Sequence, residues 1–376
     1  MKECSQSHFS DKLMDVEIIN QGIVLPCVKG RKGGVVDETG KYFAQSFVHK
    51  GLGGAYDFDD LECEYCDDEV VYVGMFHSVW GHCLTDNLKL LWFLFDERFY
   101  ELNTLKFVFT TLHESFEFSD NAKSLLERLG IDVNQLVRVT KITKFKRIYL
   151  PEDCFIREEH KGCWYTNEYK SLIDRIVSFP IQTTINDSAK LRDYVYFTRT
   201  KLNDAHDHGE ERIERVFREM GYAIMSPEQM TLDEQIKVLS HCSVLAATEG
   251  SITHNAVFMK EGSSIVIVRK RDFVNEYQLA INEMRALHVT YVDSHMSTRI
   301  DKYHSYKGPF FMYCSSNLSK FAKCKKPLFP VFSYMNYLWK YRPKHIGKKV
   351  LKKVFHRQSK NTTKFQNPYK HESFRQ

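Results

Sequence analysis

The feature that most constrains the fold of this 376-residue chain is a regular alternation of strand and helix patterns in its second half. Short runs of β-branched and apolar residues begin near Tyr194, Tyr222, Val244, Ser264 and Val289, and a helical pattern separates each run from the next. Strands that alternate with helices pair in parallel, and the helices cover both faces of the sheet. This pattern therefore predicts a mostly parallel sheet in the second half.

The first half carries a second, less regular α/β pattern. Its first 60 residues are rich in glycine and predict short strands and turns, and Val70–Val73 predicts a longer strand. Apolar residues at helical spacing predict a helix from about Val79 to Phe95, and further strands are expected at 105–110, 136–139 and 147–150. Two such units predict an α/β protein with two Rossmann-like domains that face each other across a cleft.

The predicted domain boundary is the polar stretch 180–190, where the hydrophobic periodicity is weak. The first domain is therefore expected over residues 1–180 and the second over residues 190–318. Residues 319–376 form a third, C-terminal segment that differs from both in its charge.

This C-terminal segment is strongly basic. It holds sixteen Lys and Arg and one acidic residue, Glu372, so it carries +15 although the whole chain carries only +5. Five apolar residues share one face of a predicted basic helix: Ile346, Val350, Leu351, Val354 and Phe355. Such a helix suits an anionic membrane surface, and packing against the first domain is the alternative. The sequence shows neither an apolar leader nor a run of about 20 apolar residues. We therefore expect a cytoplasmic protein, with peripheral contact to the inner face of the membrane.

Candidate metal ligands are weak in this sequence. Cys63-x-x-Cys66 has no second pair of ligands at the spacing of a zinc site. The acidic runs Asp57–Asp60 and Asp67–Glu69 are better explained as solvated loops. We expect no cofactor and no essential metal.

Two polar segments follow predicted strands of the second half. Arg199 comes directly after the first strand, and Thr248–Asn255 follows a later, buried strand. Ligands of open α/β sheets bind at the carboxyl ends of the strands. There, Gly250 would admit a close backbone approach, Ser251 and the following helix would offer hydrogen-bond donors, and Arg199 would grip a diphosphate. An ordinary turn and a solvated arginine are the alternatives.

The order and spacing of these elements resemble glycosyltransferase family 61 across residues 194–293. The elements that carry the resemblance are Arg199, Glu211, Thr231–Ile236, Gly250-Ser251, His254–Met259, Gly262 and Ile265–Val268. The resemblance implies a GT-B fold whose second domain binds a nucleotide-sugar donor. It implies that the donor is held by Arg199, Glu211, Glu249, Gly250, Ser251, His254 and Asn255.

The sequence departs from many eukaryotic members of that family at the glycine turn. Those members have His-Gly-Ala, whereas this chain has Glu249-Gly250-Ser251. The departure favours the bacterial branch, which acts in the biosynthesis of capsular polysaccharide, lipopolysaccharide and related glycans. Any role of that histidine is not transferred to this chain.

The first half is similar to the family's "G-H-x-x-x-D" motif at Gly81-His82 and Asp86. Residues four apart share one face of a helix, and a carboxylate orients a neighbouring imidazole and stabilises its protonated form. An inverting transfer needs a base that takes the proton of the acceptor hydroxyl. His82 with Asp86 could supply it; Asp86 alone and His77 are the other candidates, and a purely structural role for the pair is the alternative.

The sequence thus predicts an inverting glycosyltransferase that moves a sugar, most simply from a UDP-sugar, to a hydroxyl of a glycan or glycolipid. One alternative is a protein without catalytic activity whose basic segment binds an anionic surface or nucleic acid. Confinement of the positive charge to one terminal segment argues against nucleic acid. Another alternative is a two-domain enzyme such as a nucleotide-sugar epimerase.

Overall fold

The computed structural model describes residues 7–28, 31–48, 53–158, 161–180, 192–202, 207–272, 274–295, 310–325 and 327–340. Their strands are β1 (Val16–Asn20), β2 (Ile23–Leu25), β3 (Gly34–Val36), β4 (Tyr42–Phe43), β5 (Glu64–Phe76), β6 (Lys106–Thr111), β7 (Leu136–Arg138), β8 (Thr143–Pro151), β9 (Phe155–Glu158), β10 (Gly162–Tyr165), β11 (Tyr194–Phe197), β12 (Ala223–Met225), β13 (Val244–Thr248), β14 (Ser264–Arg269) and β15 (His288–Asp293).

The α-helices are α1 (Trp80–Leu84), α2 (Asp120–Glu127), α3 (Asn167–Ser178), α4 (Glu210–Glu219), α5 (Leu232–His241), α6 (Glu276–Met284), α7 (Ser316–Phe321) and α8 (residues 331–340). Short 3-10 helices lie at Ala44–Ser46, Asp60–Glu62, Trp92–Phe95, Glu97–Thr104, Val133–Gln135, Pro227–Gln229 and Ser251–Phe258.

The predicted parallel sheet of the second half is confirmed. Its five strands lie in the order β12-β11-β13-β14-β15, and every neighbouring pair is parallel. Both faces are buried, because alternate residues of each strand enter different apolar clusters. Val195 and Leu245 pack with α5 and α6 on one face, and Tyr196 and Ala246 pack with α4 and α7 on the other. Burial on two faces explains the near-continuous apolar runs in the sequence.

Helix α5 begins where its sequence predicts. Thr231 accepts the backbone N–H of Glu234, and the Glu234 carboxylate accepts the backbone N–H of Thr231, which completes the predicted capping box. This reciprocal pair satisfies two donors that a helix start otherwise leaves without partners.

The sheet of the first half has eight strands and mixes both directions. Strands β7, β6, β5 and β8 are mutually parallel, as the α/β pattern predicts. Strands β1 to β4 add antiparallel pairs to this unit, with β1 and β2 both beside β8. The molecule is therefore α/β, and its described strands form one mixed sheet, one parallel sheet and the small antiparallel pair β9 and β10.

The predicted helix over Val79–Phe95 is wrong beyond Leu84, where α1 ends. Every residue from 83 to 94 is buried, so no exposed face remains and the polar side chains bond to distant backbone groups. Asn87 bonds both backbone groups of His77, and Lys89 Nζ donates to the carbonyl oxygen of Phe47 at 2.6 Å. Because a buried polar group without a partner is costly, these bonds fix a turn in place of a helix.

One acidic run is also placed differently from its prediction. Asp67–Glu69 lies inside the long strand β5 rather than in a solvated loop. Asp68 pairs with Lys106 at 2.6 Å, and Glu69 pairs with Arg147 at 3.0 Å. Cross-strand ion pairs therefore account for the charges of Asp68 and Glu69. Within the described segments, no three His, Cys, Asp or Glu side chains are grouped so as to hold a metal ion.

The largest apolar cluster contains buried residues of both halves, among them Val71 and Phe93 from the first and Leu245 and Phe258 from the second.

Most of the predicted boundary at 180–190 and the whole predicted basic helix at 346–355 lie outside the described residues. None of the helices in the described segments has the length and hydropathy that a bilayer crossing requires.

Candidate functional site

The strand order of the parallel sheet creates a crevice at its carboxyl edge. From β11 the chain passes to β12 on one side and later to β13 on the other, so the connections leave in opposite directions. Such a switch point is where open α/β sheets bind ligands. Arg199 follows β11, and Glu249 and Gly250 follow β13, so these predicted site residues meet at this edge.

Gly250 lies between two cationic side chains. A Cβ atom at this position would lie 3.7 Å from both Arg199 Nη1 and Lys270 Nζ. The φ of Gly250 is +138°, which L-residues rarely adopt. Glycine here therefore provides a half-buried backbone turn flanked by two positive charges, an arrangement that suits a diphosphate.

The two cations are held differently. Lys270 is 6% exposed, forms a 2.8 Å ion pair with Asp207, and lies over the ring of Phe310. Arg199 is half-buried, and its guanidinium forms no salt bridge with any residue that the structure describes. Arg199 is thus the cation with spare capacity for an anionic ligand.

Sequence reasoning missed Lys270. It is the middle residue of Arg269-Lys270-Arg271, three consecutive basic residues at the end of β14. Arg269 pairs with Asp293 at 3.1 Å, and Arg271 lies 3.6 Å from Glu249. A basic triplet at the carboxyl end of a buried strand was the signal that could have identified it.

Glu210, rather than the predicted Glu211, contacts this edge. Glu210 is fully buried, and its Oε1 accepts the backbone N–H of Arg199 at 3.1 Å. Thr248 lies at hydrogen-bonding distance from the same oxygen, 3.5 Å away, so Glu210 links β11 to β13. Glu211 is exposed on the next position of α4. The spacing of a motif could not tell which of two adjacent residues at the start of a helix faces the site.

Burial raises the pKa of Glu210 to about 7, and the backbone N–H of Arg199 opposes this shift. Its Oε2 has no hydrogen-bond partner among the described residues. The carboxyl group next to Arg199 is therefore about half protonated near pH 7.

We expect Glu210→Gln to flatten the dependence of stability on pH. A raised pKa means that the folded state binds the proton more tightly than the unfolded state. The stabilisation is therefore complete below the usual value of 4.5 and is lost as pH rises through about 7. Urea unfolding from pH 4.5 to pH 8 should show a loss of up to about 3 kcal/mol in the wild type that the variant lacks. Glu211→Gln is the matched control, and an equal effect of that substitution would contradict the assignment.

Glu249 is the second buried carboxylate of this edge. It is 4% exposed, burial raises its pKa, and the positive charge of Arg271 opposes the shift. Its Oε2 accepts no hydrogen bond from the part of the chain that the structure describes. The group therefore retains acceptor capacity for a hydroxyl.

On the first half, His82 and Asp86 form a close pair. His82 Nδ1 lies 2.6 Å from Asp86 Oδ2, and Thr85 and Tyr277 place their hydroxyl groups at 3.0 Å and 3.3 Å from the same carboxylate. Asp86 is buried, whereas the side chain of His82 is 28% exposed. Donation from Nδ1 to Asp86 leaves the lone pair of the neutral ring on Nε2.

His77, the third candidate, stacks on His82 with ring centroids 4.5 Å apart. Its Nδ1 accepts the backbone N–H of Val79 at 3.0 Å, and the centroid of the His113 ring lies 6.0 Å from that of His77. His77 thus helps to fix the start of α1 and the ring of His82.

The pair at α1 is contiguous with the glycine turn of the second half. A Cβ atom on Gly81 would lie 2.8 Å from Ser251 Oγ and 3.3 Å from His254 Nδ1. The indole N–H of Trp80 donates to Asn255 Oδ1 at 2.7 Å. Ser251, His254 and Asn255, which were predicted to bind the sugar donor, therefore lie at the junction between the two halves. The amide oxygen of Asn255 already accepts a hydrogen bond from Trp80 there.

Burial lowers the pKa of His254 to about 4, and the nearby charge of His82 adds to this shift. The ring is therefore neutral at pH 7. Its Nε2 lies 3.3 Å from the amide nitrogen of Asn275, which assigns the proton to Nδ1. No described residue accepts a hydrogen bond from that Nδ1.

One comparison with known proteins finds a family whose model covers most of these residues. The family model of glycosyltransferase 61 matches residues 80–266, from the start of α1 into β14. The matched range includes both the His82–Asp86 pair and the Gly250 turn. No curated protein matches the chain.

Proposed function

Because the chain belongs to glycosyltransferase family 61, whose members transfer sugars, we propose that it moves a sugar from a nucleotide-sugar donor to a hydroxyl of a glycan acceptor. One observation carries this proposal. Two cations flank a glycine turn, and a His–Asp pair lies next to the residue that follows the turn. The first arrangement suits a diphosphate, and the second suits a hydroxyl that must lose a proton.

We propose that the two sheets are the halves of a GT-B enzyme with the reaction between them. The parallel sheet supports this arrangement, because its carboxyl edge with Arg199 and Gly250 adjoins α1 of the first half. The division into domains over 1–180 and 190–318 remains a prediction from the sequence.

On the donor side, Arg199 binds the diphosphate in a forked hydrogen-bond pair and Lys270 adds a fixed charge. Backbone N–H groups at Gly250 and Ser251 complete the cradle. These groups also offset the charge that develops on the departing nucleoside diphosphate. The buried carboxylate of Glu249 accepts a hydrogen bond from a hydroxyl group of the sugar or ribose. Glu211 is proposed to bind a hydroxyl group of the donor in the same way.

On the acceptor side, His82 is the base and Asp86 is a positioning residue. His82 Nε2 takes the proton from the acceptor hydroxyl as its oxygen attacks the anomeric carbon. The bond from that carbon to the diphosphate breaks, and the electron pair leaves with the nucleoside diphosphate. Attack opposite to the leaving group inverts the anomeric centre. The exposure of His82 and the burial of Asp86 support this order of roles.

His254 provides a neutral hydrogen-bond donor at the junction. Its Nδ1–H lies beside Gly81 and one helical turn from Gly250, between the two proposed substrates. A neutral ring donates to a sugar or phosphate oxygen without competing with Arg199 for charge. This role agrees with its predicted place among the donor ligands.

The reaction as proposed uses no cofactor and no essential metal, because Arg199, Lys270 and the backbone carry the diphosphate. The acceptor is a glycan or glycolipid of polysaccharide biosynthesis, as the Glu249-Gly250-Ser251 sequence favours, and a UDP-sugar is the simplest donor.

A thermal-shift screen tests the donor class. UDP, GDP, CMP and their sugar conjugates are added separately, with and without EDTA. A ligand that binds the folded state alone raises Tm, by an amount that corresponds to about 2.7 kcal/mol at one hundred times Kd. We expect one nucleotide family to raise Tm equally in both conditions. A shift that requires metal would contradict the metal-free proposal, and no shift with any nucleotide would contradict the donor site.

A further inference from the structure

Helix α8 presents an apolar stripe to solvent. Phe332 is 88% exposed, Trp339 is 81% exposed, and Val331 and Met335 are more than half exposed. Leu328, just before the helix, is 95% exposed. The spacing of Phe332, Met335 and Trp339 places these side chains along one face of α8. So contiguous an exposed apolar surface, aromatic residues included, marks an interaction site.

The opposite face of α8 anchors it to the protein. Tyr337 is 1% exposed, and its ring lies 5.4 Å from His208 and 5.5 Å from Phe311. Arg212 Nη2 donates to Ser333 Oγ at 2.7 Å. The helix is therefore fixed in orientation, and the exposure of its other face is a property of the folded protein.

The sequence on either side of the stripe is basic. From Lys302 to His371 the chain contains no Asp or Glu, and residues 340–376 supply twelve Lys and Arg against one Glu. Each basic residue near an anionic bilayer adds attraction, while tryptophan and phenylalanine are suited to the interface between headgroups and acyl chains. The stripe supplies the apolar part of such contact, and the basic chain supplies the electrostatic part.

We propose that the stripe of α8 inserts into the surface of an anionic lipid bilayer, with the basic residues that follow it held at the headgroups. A second copy of this chain is a poorer occupant, because two such basic segments would repel each other. An acidic protein would also match the charge, and binding to protein-free vesicles separates that occupant from a bilayer.

This docking places the candidate site near the bilayer. Helix α8 packs on His208 and Arg212, which flank the start of α4, and Glu210 at that start contacts Arg199. The membrane-facing helix is thus joined to the carboxyl edge of the parallel sheet. If the proposed transfer is correct, a lipid-linked acceptor would meet the site from the bilayer surface, although the docking does not depend on that transfer.

Vesicle binding by the full chain tests the proposal. The probes are vesicles of phosphatidylcholine alone and of an equal mixture with phosphatidylglycerol, at low and high salt. We expect sedimentation with the mixed vesicles, weakened by salt, and a blue shift of tryptophan emission from Trp339. Phe332→Ser/Trp339→Ser should lower the partition coefficient about tenfold or more, since two large side chains lose their burial. Leu13→Ser/Leu61→Ser is the matched control, because both residues are exposed elsewhere.

Three results would overturn the proposal. The first is no binding of the wild type to the mixed vesicles. The second is equal binding by the serine variant of α8, which would assign the contact to the basic segment alone. The third is a concentration-dependent dimer of the wild type that the α8 variant abolishes, without vesicle binding. All variants change exposed residues, so we expect their Tm to equal that of the wild type. An unchanged Tm would confirm that folding is intact.

Discussion

Replacing His82 with alanine is expected to lower kcat by about a hundredfold to ten-thousandfold, the usual contribution of a positioned general base. The Kd for the donor nucleotide should stay within about twofold, because the ring does not hold the diphosphate. Initial rates at saturating donor and acceptor measure the first quantity, and calorimetric titration of the nucleotide measures the second. Because the substitution removes a donor 2.6 Å from the buried Asp86 carboxylate, the Tm of the variant is measured beside the rates to show that it folds.

Companion variants separate the three candidates for the base. Asp86→Asn retains the shape of the group that receives His82 Nδ1 but removes its charge, so kcat should fall while the pH profile changes shape. His77→Ala removes only the ring stacked on His82, and a small effect is expected. If His82→Ala retained most of the wild-type kcat while Asp86→Asn lost it, Asp86 would be the base and His82 its support.

Arg199→Ala should weaken binding of the donor nucleotide by about 1.5–3 kcal/mol, roughly 10- to 150-fold in Kd, because it removes charge-assisted hydrogen bonds to the diphosphate. The guanidinium has no salt-bridge partner among the described residues, so its removal breaks no ion pair there, although buried Glu210 loses a nearby positive charge. Titration with the nucleotide identified by the thermal-shift screen gives the value directly.

Two further variants serve as controls for the effect of Arg199→Ala. Arg218→Ala removes an exposed arginine of α4 that pairs with Glu214, and it should leave nucleotide affinity unchanged. Arg199→Lys keeps the charge without the planar fork, and it should recover only part of the affinity. Equal affinity of Arg199→Ala and wild type would remove Arg199 from the donor site and leave Lys270 as the principal cation.

The parallel sheet could be predicted because its pattern is local. The central strands β11, β13 and β14 are buried on both faces and each connection is a helix, so the apolar runs and their spacing determine the order of elements. Arg199 and Gly250 could be predicted for the same reason, since they directly follow buried strands. Neither inference needed knowledge of contacts between distant residues.

The remaining features depend on distant contacts. Helix α1 ends early because Lys89 bonds the carbonyl oxygens of Phe47 and Val48 and pairs with buried Asp153. Glu210 and Glu211 are the same residue type, and only their positions on α4 decide which of them is buried at the edge of the sheet. Lys270 joined the site because β14 ends beside β13, a neighbour relation that spacing does not encode. The roles of all these residues stay predictions until the variants are measured.

The carboxylate of Asp86 takes its hydrogen bonds from two regions separated by almost two hundred positions, His82 and Thr85 on one side and Tyr277 on the other. A chimera that joins the first half of this protein to the second half of a relative would therefore break the centre unless it also carried Tyr277 and the Asn255 that receives Trp80. One half can therefore be exchanged only together with the residues of the other half that contact it. In the divergence of such enzymes, a new donor specificity should appear with compensating changes around α1 rather than by free recombination of one half.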